Sequence, residues 1–372
     1  MIKKINYITY QTFPATTANT LQTISNIKYI IKNGVEVTLI FPLREVQSSS
    51  DLSTLKEFYN ISENFKVIGT AHNLPFGKYR KLNRISFLIS HFYWSYSTIK
   101  NLEKKDYKTN EYYFTRSDWV FYFLSRRGEK VIYECHQYTK LRKLLIKMSL
   151  RNEYSKIIFL NELLKDDYSS RYILKNNYKV LQNGVDVEMF ENNGSNNINE
   201  IIFIGRLTRF NNPRNIDFLF KGIAGLEDKY SLKIIGASKD ELKLYTKLAN
   251  QEKIQDRVTI LESLSHAETI WHLQNAGVGI LINSKSNQHS IRYTSPLKYF
   301  EYLAAGLKVV AVNFKAHNIL PYSEEIIFFE DDNINSFRNA ILESSNRESS
   351  IINNKSISLD FRVKSILNFL SK

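Results

Sequence analysis

Short β-rich runs alternate with longer stretches of helical character along the whole chain. The pattern predicts strands at residues 5–10, 35–41, 65–68, 111–115, 131–135, 156–160 and 179–181. A second set is predicted at residues 201–204, 231–235, 258–261, 278–282, 308–312 and 326–329. Strands that alternate with helices in this way build parallel sheets flanked by helices, an α/β architecture. The polar, Asn-rich segment 191–200 is the best linker, so the chain is expected to divide into residues 1–190 and 191–356, with two sheets of similar size. Neither an internal repeat nor an extended low-complexity tract is evident.

The most informative stretch is Tyr293-Thr294-Ser295-Pro296-Leu297-Lys298-Tyr299-Phe300-Glu301, running on to Gly306 and then into the apolar strand 308–312. It predicts a helix capped by Ser295, with Pro296 in its first turn and Gly306 as a left-handed C-cap. Such a start offers the backbone N–H groups of Leu297 and Lys298, with the positive end of the helix dipole, to an anion. Glu301, six residues after the cap and about 9 Å along the axis, is placed to accept hydrogen bonds from sugar hydroxyls beside that anion. A diphosphate joined to a ribose has this layout, although an ordinary capped helix with a surface glutamate shares the same signature. Asn183-Gly184-Val185-Asp186 closes a strand near mid-chain. Ile201-Ile202-Phe203-Ile204-Gly205-Arg206-Leu207 starts another and puts Arg206 at its C-terminal edge, where ligands of open parallel sheets bind.

On these segments the chain resembles a family 4 glycosyltransferase, a retaining, nucleotide-sugar-dependent enzyme of the GT-B fold. The resemblance is carried by Val180-Leu181-Gln182-Asn183-Gly184-Val185-Asp186-Val187-Glu188-Met189-Phe190, by Gly205-Arg206-Leu207, and by Glu301 as the final residue of a Glu-seven-residues-Glu motif. It implies two Rossmann-like domains whose parallel sheets face a central cleft. It also implies acceptor binding by the first domain, nucleotide-sugar binding by the second, and a C-terminal helix, within residues 357–372, that returns to the first. The chain departs from the pattern at two places. Tyr293 stands where the first glutamate of the paired motif, a donor-sugar contact in the family, would fall. No Lys follows the Gly-Arg-Leu element, so Arg214, or less favourably Arg209, is the candidate replacement cation.

His136 follows the apolar strand 131–135; taken alone it reads slightly more readily as a cap on the strand end. Because relatives carry a His that lines the sugar pocket after this strand, the resemblance implies that it binds a sugar hydroxyl or steadies charge on the sugar. The loop after the first strand contains no glycine, and Thr16 and Thr17 in it are weak candidates for acceptor or cleft contacts. No Asp-x-Asp triplet occurs and the seven His show no metal-ligand spacing, so neither a metal nor another cofactor is expected. Arg206, a second cation such as Arg214 or Lys298, and the helix N-terminus would then balance a leaving diphosphate.

The formal charge of +14, from 51 Lys and Arg against 37 Asp and Glu, calls for a polyanionic partner. Nucleic acid is disfavoured because no recognition signature accompanies the charge, and an anionic membrane surface fits better. Two stretches combine cations with apolar residues as interfacial helices do: residues 78–84, which precede a helix holding Phe87, Phe92, Tyr93, Trp94 and Tyr96, and residues 140–147. The aromatics are expected to pack on their sheet. The start of the chain reads as a strand and not as a signal peptide, and no apolar run is long enough to span a bilayer. The lone Cys135 reads as a packed thiol and suits a reducing compartment. The expectation is a cytoplasmic, peripherally membrane-associated transferase that takes its sugar from UDP, or next from GDP, and gives it to a lipid-linked or surface-glycan acceptor. A nucleotide-sugar epimerase or hydrolase on the same fold, and a non-catalytic binding subunit, are the alternatives.

Overall fold

The structure is a computed structural model and describes residues 2–72, 74, 83–103, 110–169, 174–190, 197–209, 212–283, 285–286, 288–348 and 353–371. The expected basic stretch 78–84 lies largely outside these residues, as does the first part of the expected linker. The chain forms two compact units, Met1–Leu181 with Leu359–Lys372, and Gln182–Ser358.

The first unit contains strands β1 (Lys4–Ile8), β2 (Glu36–Leu43), β3 (Lys66–Ala71), β4 (Glu111–Thr115), β5 (Val131–Cys135), β6 (Ser155–Phe159) and β7 (Tyr178–Val180). Its helices are α1 (Ala18–Lys32), α2 (Leu52–Tyr59), α3 (Asn83–Asn101), α4 (Asp118–Arg126), α5 (Lys140–Ser149) and α6 (Glu162–Tyr168). The strands form one parallel sheet in the order β3-β2-β1-β4-β5-β6-β7. Strand order reverses between β1 and β4, so a crevice opens beyond their C-terminal ends. Thr16 and Thr17 follow β1, and His136 follows β5 two strands away.

The second unit contains β8 (Asn197–Ile204), the short hairpin β9 (Thr208–Arg209) and β10 (Asn212–Pro213), β11 (Ser231–Ala237), β12 (Val258–Glu262), β13 (Ala276–Leu281), β14 (Lys308–Val312) and β15 (Ile326–Phe329). Its helices are α7 (Ile216–Ala224), α8 (Lys239–Gln251), α9 (His266–Asn275), α10 (Leu297–Ala304), α11 (Ile334–Asn346) and α12 (Asn354–Ile357). Six parallel strands order as β12-β11-β8-β13-β14-β15, with the reversal between β8 and β13. Apolar clusters cover this sheet on both faces, which is why its strands read as unbroken apolar runs.

The last helix, α13 (Leu359–Ser371), belongs to the first unit. Leu359, Val363, Ile366 and Leu370 join the core around β1 and α1, and Tyr112 donates a hydrogen bond to the Leu370 carbonyl at 2.8 Å. The segment from Asn183 to Phe190 belongs to the second unit. Asn183 donates from its N–H to Ser295 Oγ at 3.0 Å and from Nδ2 to the Ser295 carbonyl at 2.5 Å, and Val185 bridges to Ser358. The polar segment chosen as a linker therefore follows residues already packed on the second unit.

Candidate functional site

In the second unit the site is built around the end of β8. Gly205 has φ +108 and Gly236, at the end of neighbouring β11, has φ +117. A Cβ at Gly236 would stand 2.8 Å from the Gly205 carbonyl group, so the two backbones meet where no side chain fits. Arg206 follows, exposed, with no hydrogen bond or ion pair among the described residues. The Lys298 ammonium lies 3.9 Å from the centroid of the buried Phe203 ring, and the Arg214 guanidinium lies 5.9 Å from the same centroid. A Cβ at Gly205 would be 3.5 Å from Lys298 Nζ, which places that ammonium beside the β8 turn.

Helix α10 supplies the rest. Its N-cap is Pro296, without a side-chain cap, and not Ser295. The Ser295 hydroxyl is buried and accepts from the Asn183 N–H, a long-range tie that replaces the expected local cap. The Leu297 N–H has no backbone acceptor among the described residues, as the first turn of a helix requires. At the other end Gly306 has φ +75, and its N–H and that of Leu307 donate to the Leu303 and Tyr302 carbonyls at 3.0 Å each. This is the left-handed C-cap expected from the sequence.

Glu301 is held partly buried by His266, the first residue of α9, whose Nε2 lies 3.3 Å from Glu301 Oε1. That hydrogen bond raises the His266 pKa above its ordinary value against the pull of burial, and Asp186 adds to the rise. Sequence reasoning missed His266. Its local signal, the Ser265 and Glu268 capping box, points only to a helix start. His317 was missed too: it is fully buried with Nδ1 at 2.8 Å from the Val312 carbonyl, and burial, with Lys298 adding, lowers its pKa to about 4. Tyr293 is buried at the end of a wide helical turn, His289–Tyr293, with the Arg292 guanidinium 6.0 Å from its ring centroid. Arg206, Arg214, Lys298, Leu297, Ser295 and Glu301 thus lie on or against two neighbouring segments, the β8 turn and α10.

In the first unit His136 is the centre of a different arrangement. Its Nδ1 accepts from Arg116 at 2.9 Å and its Nε2–H donates to Glu134 Oε1 at 2.5 Å. Arg116 is itself oriented by Gln22 and Asn19 of α1 at 3.1 and 3.0 Å. The other Glu134 oxygen accepts from Arg362 of α13 at 2.7 Å, and Arg362 also reaches Asn26. Burial of Glu134 favours its neutral form, yet Arg362, His136 and Arg116 hold its carboxyl well below the ordinary range. Burial, then Arg116, lowers the His136 pKa to about 4, so the ring is neutral with its proton on Nε2. Both ring nitrogens are engaged, and a hydroxyl can bind there only in exchange for one of these bonds.

Thr17 is the N-cap of α1, its Oγ1 accepting from the Thr20 N–H at 3.3 Å, and Thr16 beside it is exposed. The Cys135 thiol is buried and burial pushes its pKa up to about 11, as a packed thiol requires. Among the described residues no helix is long and apolar enough to cross a membrane.

Residues 198–346 match the family profile described as glycosyl transferases group 1. That span contains Arg206, Arg214, Tyr293, Ser295, Leu297, Lys298 and Glu301. The whole chain is similar in fold to GT-B structures. It is 14% identical to a lipopolysaccharide outer core galactosyltransferase, WaaB, in apo form, with a TM-score of 0.64 over 99% of each chain. To Anabaena HepE in complex with UDP it is 11% identical, with a TM-score of 0.63 over 99% of each chain. To a glycosyltransferase from Rickettsia africae it is 14% identical, with a TM-score of 0.65 over 100% of this chain and 98% of the other. No curated protein matches by sequence. The profile match and the GT-B fold together support a glycosyltransferase.

Proposed function

We propose that the protein is a retaining glycosyltransferase of the family 4 type that moves a sugar from a nucleoside diphosphate, UDP in preference to GDP, to a lipid-linked or surface-glycan acceptor. The observation that carries the proposal is the gathering of Arg206, Lys298 and Arg214 at the β8 turn, next to the open N-terminus of α10. In the transfer the bond between the anomeric carbon and the diphosphate oxygen breaks, a bond from the acceptor oxygen to that carbon forms on the same face, and the acceptor's hydroxyl proton passes to the departing diphosphate oxygen. The diphosphate leaves with its bonding electrons, and these cations with the Leu297 N–H stabilise the charge it gains. Glu301 accepts from ribose hydroxyls, Ser295 fixes the start of α10 against Asn183, and buried Tyr293 occupies the place of a family glutamate. His136 is carried in the same proposal as a hydroxyl-binding group.

The charge balance is supplied by side chains and amides, so the proposal includes independence from metal. It also includes reversible attachment to an anionic membrane surface, on which a lipid-linked acceptor would be presented. HepE binds UDP in its described complex, which supports the choice of nucleotide. The test is thermal unfolding against UDP, GDP and their sugars in excess EDTA. A ligand at 100 times its dissociation constant should stabilise by about 2.7 kcal/mol. Proton spectra of the first-formed product should show the donor's anomeric configuration. A folded protein indifferent to every nucleoside diphosphate overturns the proposal. Binding without transfer to any acceptor would instead favour a non-catalytic subunit, a role that Tyr293 makes worth testing.

A further inference from the structure

Helix α3 turns an apolar face to solvent. Ile85, Leu88, Ile89, Phe92, Tyr93 and Tyr96 are exposed, with Ile85 at 56% and Ile89 at 58%. These positions recur at three- and four-residue intervals, so they form one stripe along the helix. The inner face, with Ser90, His91, Trp94, Ser95, Thr98 and Ile99, is the buried one. Expected core aromatics are therefore split: Trp94 is buried, whereas Phe92, Tyr93 and Tyr96 are not.

Helices α3, α4 and α5 lie side by side. Phe92 meets Trp119 and Phe123 of α4 edge to face, at 4.8 and 5.5 Å between centroids. On α5 the exposed positions are Lys140, Leu141, Leu144 and Lys147, again one face of a helix. Charge on the three helices has one sign. Helices α3 and α5 contain no Asp or Glu, and α4 contains only Asp118, which Arg142 neutralises at 3.2 Å. Lys100, Arg126, Lys140 and Lys147 remain exposed around the apolar positions.

Cations around exposed aliphatic and aromatic side chains match the boundary of an anionic bilayer, where the apolar groups enter the acyl region and the cations meet headgroup phosphates. We propose that the outer faces of α3 and α5 form the docking surface for an anionic membrane. The proposal rests on the membrane attachment argued above and deepens it, by assigning the contact to apolar side chains of α3 and α5.

The experiment uses the full chain and sedimentation with vesicles of phosphatidylcholine and phosphatidylglycerol, against phosphatidylcholine alone. The variants are the triple Ile85→Gln, Ile89→Gln, Leu144→Gln, and the single Ile89→Trp. All sites are solvent-exposed and Gln is a good helix former, so unfolding curves should match wild type. Wild type should sediment with the anionic vesicles. The triple variant should bind about tenfold more weakly or worse, and Ile89→Trp should bind more tightly with blue-shifted emission. Equal binding by wild type and triple variant overturns the docking face while leaving membrane attachment in place. No binding by wild type overturns membrane attachment, and the face with it. A wild-type dimer in solution that the triple variant dissociates, without lipid binding by either, would reassign the face to a second copy of the chain.

Discussion

Charges are handled in opposite ways at the two sheet edges. In the first unit Glu134 is fully buried and is met by Arg362 at 2.7 Å, by neutral His136 at 2.5 Å and by Arg116 at 3.8 Å. In the second unit Arg206 ends a strand with no protein partner among the described residues, and Lys298 and Arg214 stand about the same phenyl ring. A closed network satisfies itself and holds a helix in place, whereas under the proposed function the cations beside the start of α10 would meet a ligand anion. The difference separates residues whose loss should cost stability from those whose loss should cost activity.

Breaking the closed network should give the largest effect. Arg362→Met leaves the Glu134 carboxylate buried with less compensation, at a cost of about 3–5 kcal/mol, or a fall in Tm on the order of 10 °C. A Tm within a degree or two of wild type would mean that Arg362 does not hold α13. At the open site Arg206→Ala should do the reverse: turnover falls about 100-fold with stability changed by less than about 0.5 kcal/mol. An unchanged kcat there would remove Arg206 from the charge balance and erase the contrast between the two edges.

Smaller changes sharpen the picture of α10. Glu301→Gln replaces an acceptor of ribose hydroxyls by a group that is half donor, and should raise the donor KM and lower turnover by about tenfold. Normal transfer by a folded Glu301→Gln protein would remove Glu301 from the donor site. Ser295→Ala leaves the buried Asn183 N–H without its acceptor, and should cost about 1–2 kcal/mol in denaturant unfolding. A purely local cap would give a similar figure, so amide hydrogen exchange at Asn183, whose backbone N–H makes the bond, separates the two: it should speed up in Ser295→Ala, and an unchanged rate would mean a local cap.

The strands were legible because burial on both faces leaves apolar runs that need no partner to be recognised. Gly306 was legible for a similar reason, since a C-cap is decided within one turn. Ser295 was misread because Ser-Pro is also a local helix start, while its actual partner, Asn183, is 112 positions away in the chain. Arg362 carries no signal either: it looks like one more cation on an amphipathic helix, and its partner Glu134 is 228 positions distant. The outer face of α3 was visible as composition but not as exposure. Ile85, Ile89 and Phe92 have the spacing of a core stripe, and only the competing stripe through Trp94 and Thr98, which wins the sheet, shows which one is left outside.

The finest test concerns His266 and Glu301, joined at 3.3 Å. Because the hydrogen bond to Glu301 raises the His266 pKa above 6.5, the folded protein holds this proton more tightly than the unfolded chain does. The pair's stabilisation is then complete below pH 6.5 and is lost as pH rises through the higher folded value. His266 is 39% exposed, so solvent screening limits the whole effect to about 0.5 kcal/mol or less. Against His266→Gln, wild type should be the more stable by this margin in acid, and the gap should close in mild base. The same window should appear in donor binding. Under the proposed function a protonated His266 engages the carboxylate that ribose hydroxyls need, so wild-type affinity for a UDP-sugar, whose diphosphate carries no group titrating in this window, should improve as pH rises, while that of His266→Gln stays flat across the window. Parallel affinity profiles for the two proteins would separate Glu301 from His266 and leave the carboxylate's orientation to α10 alone.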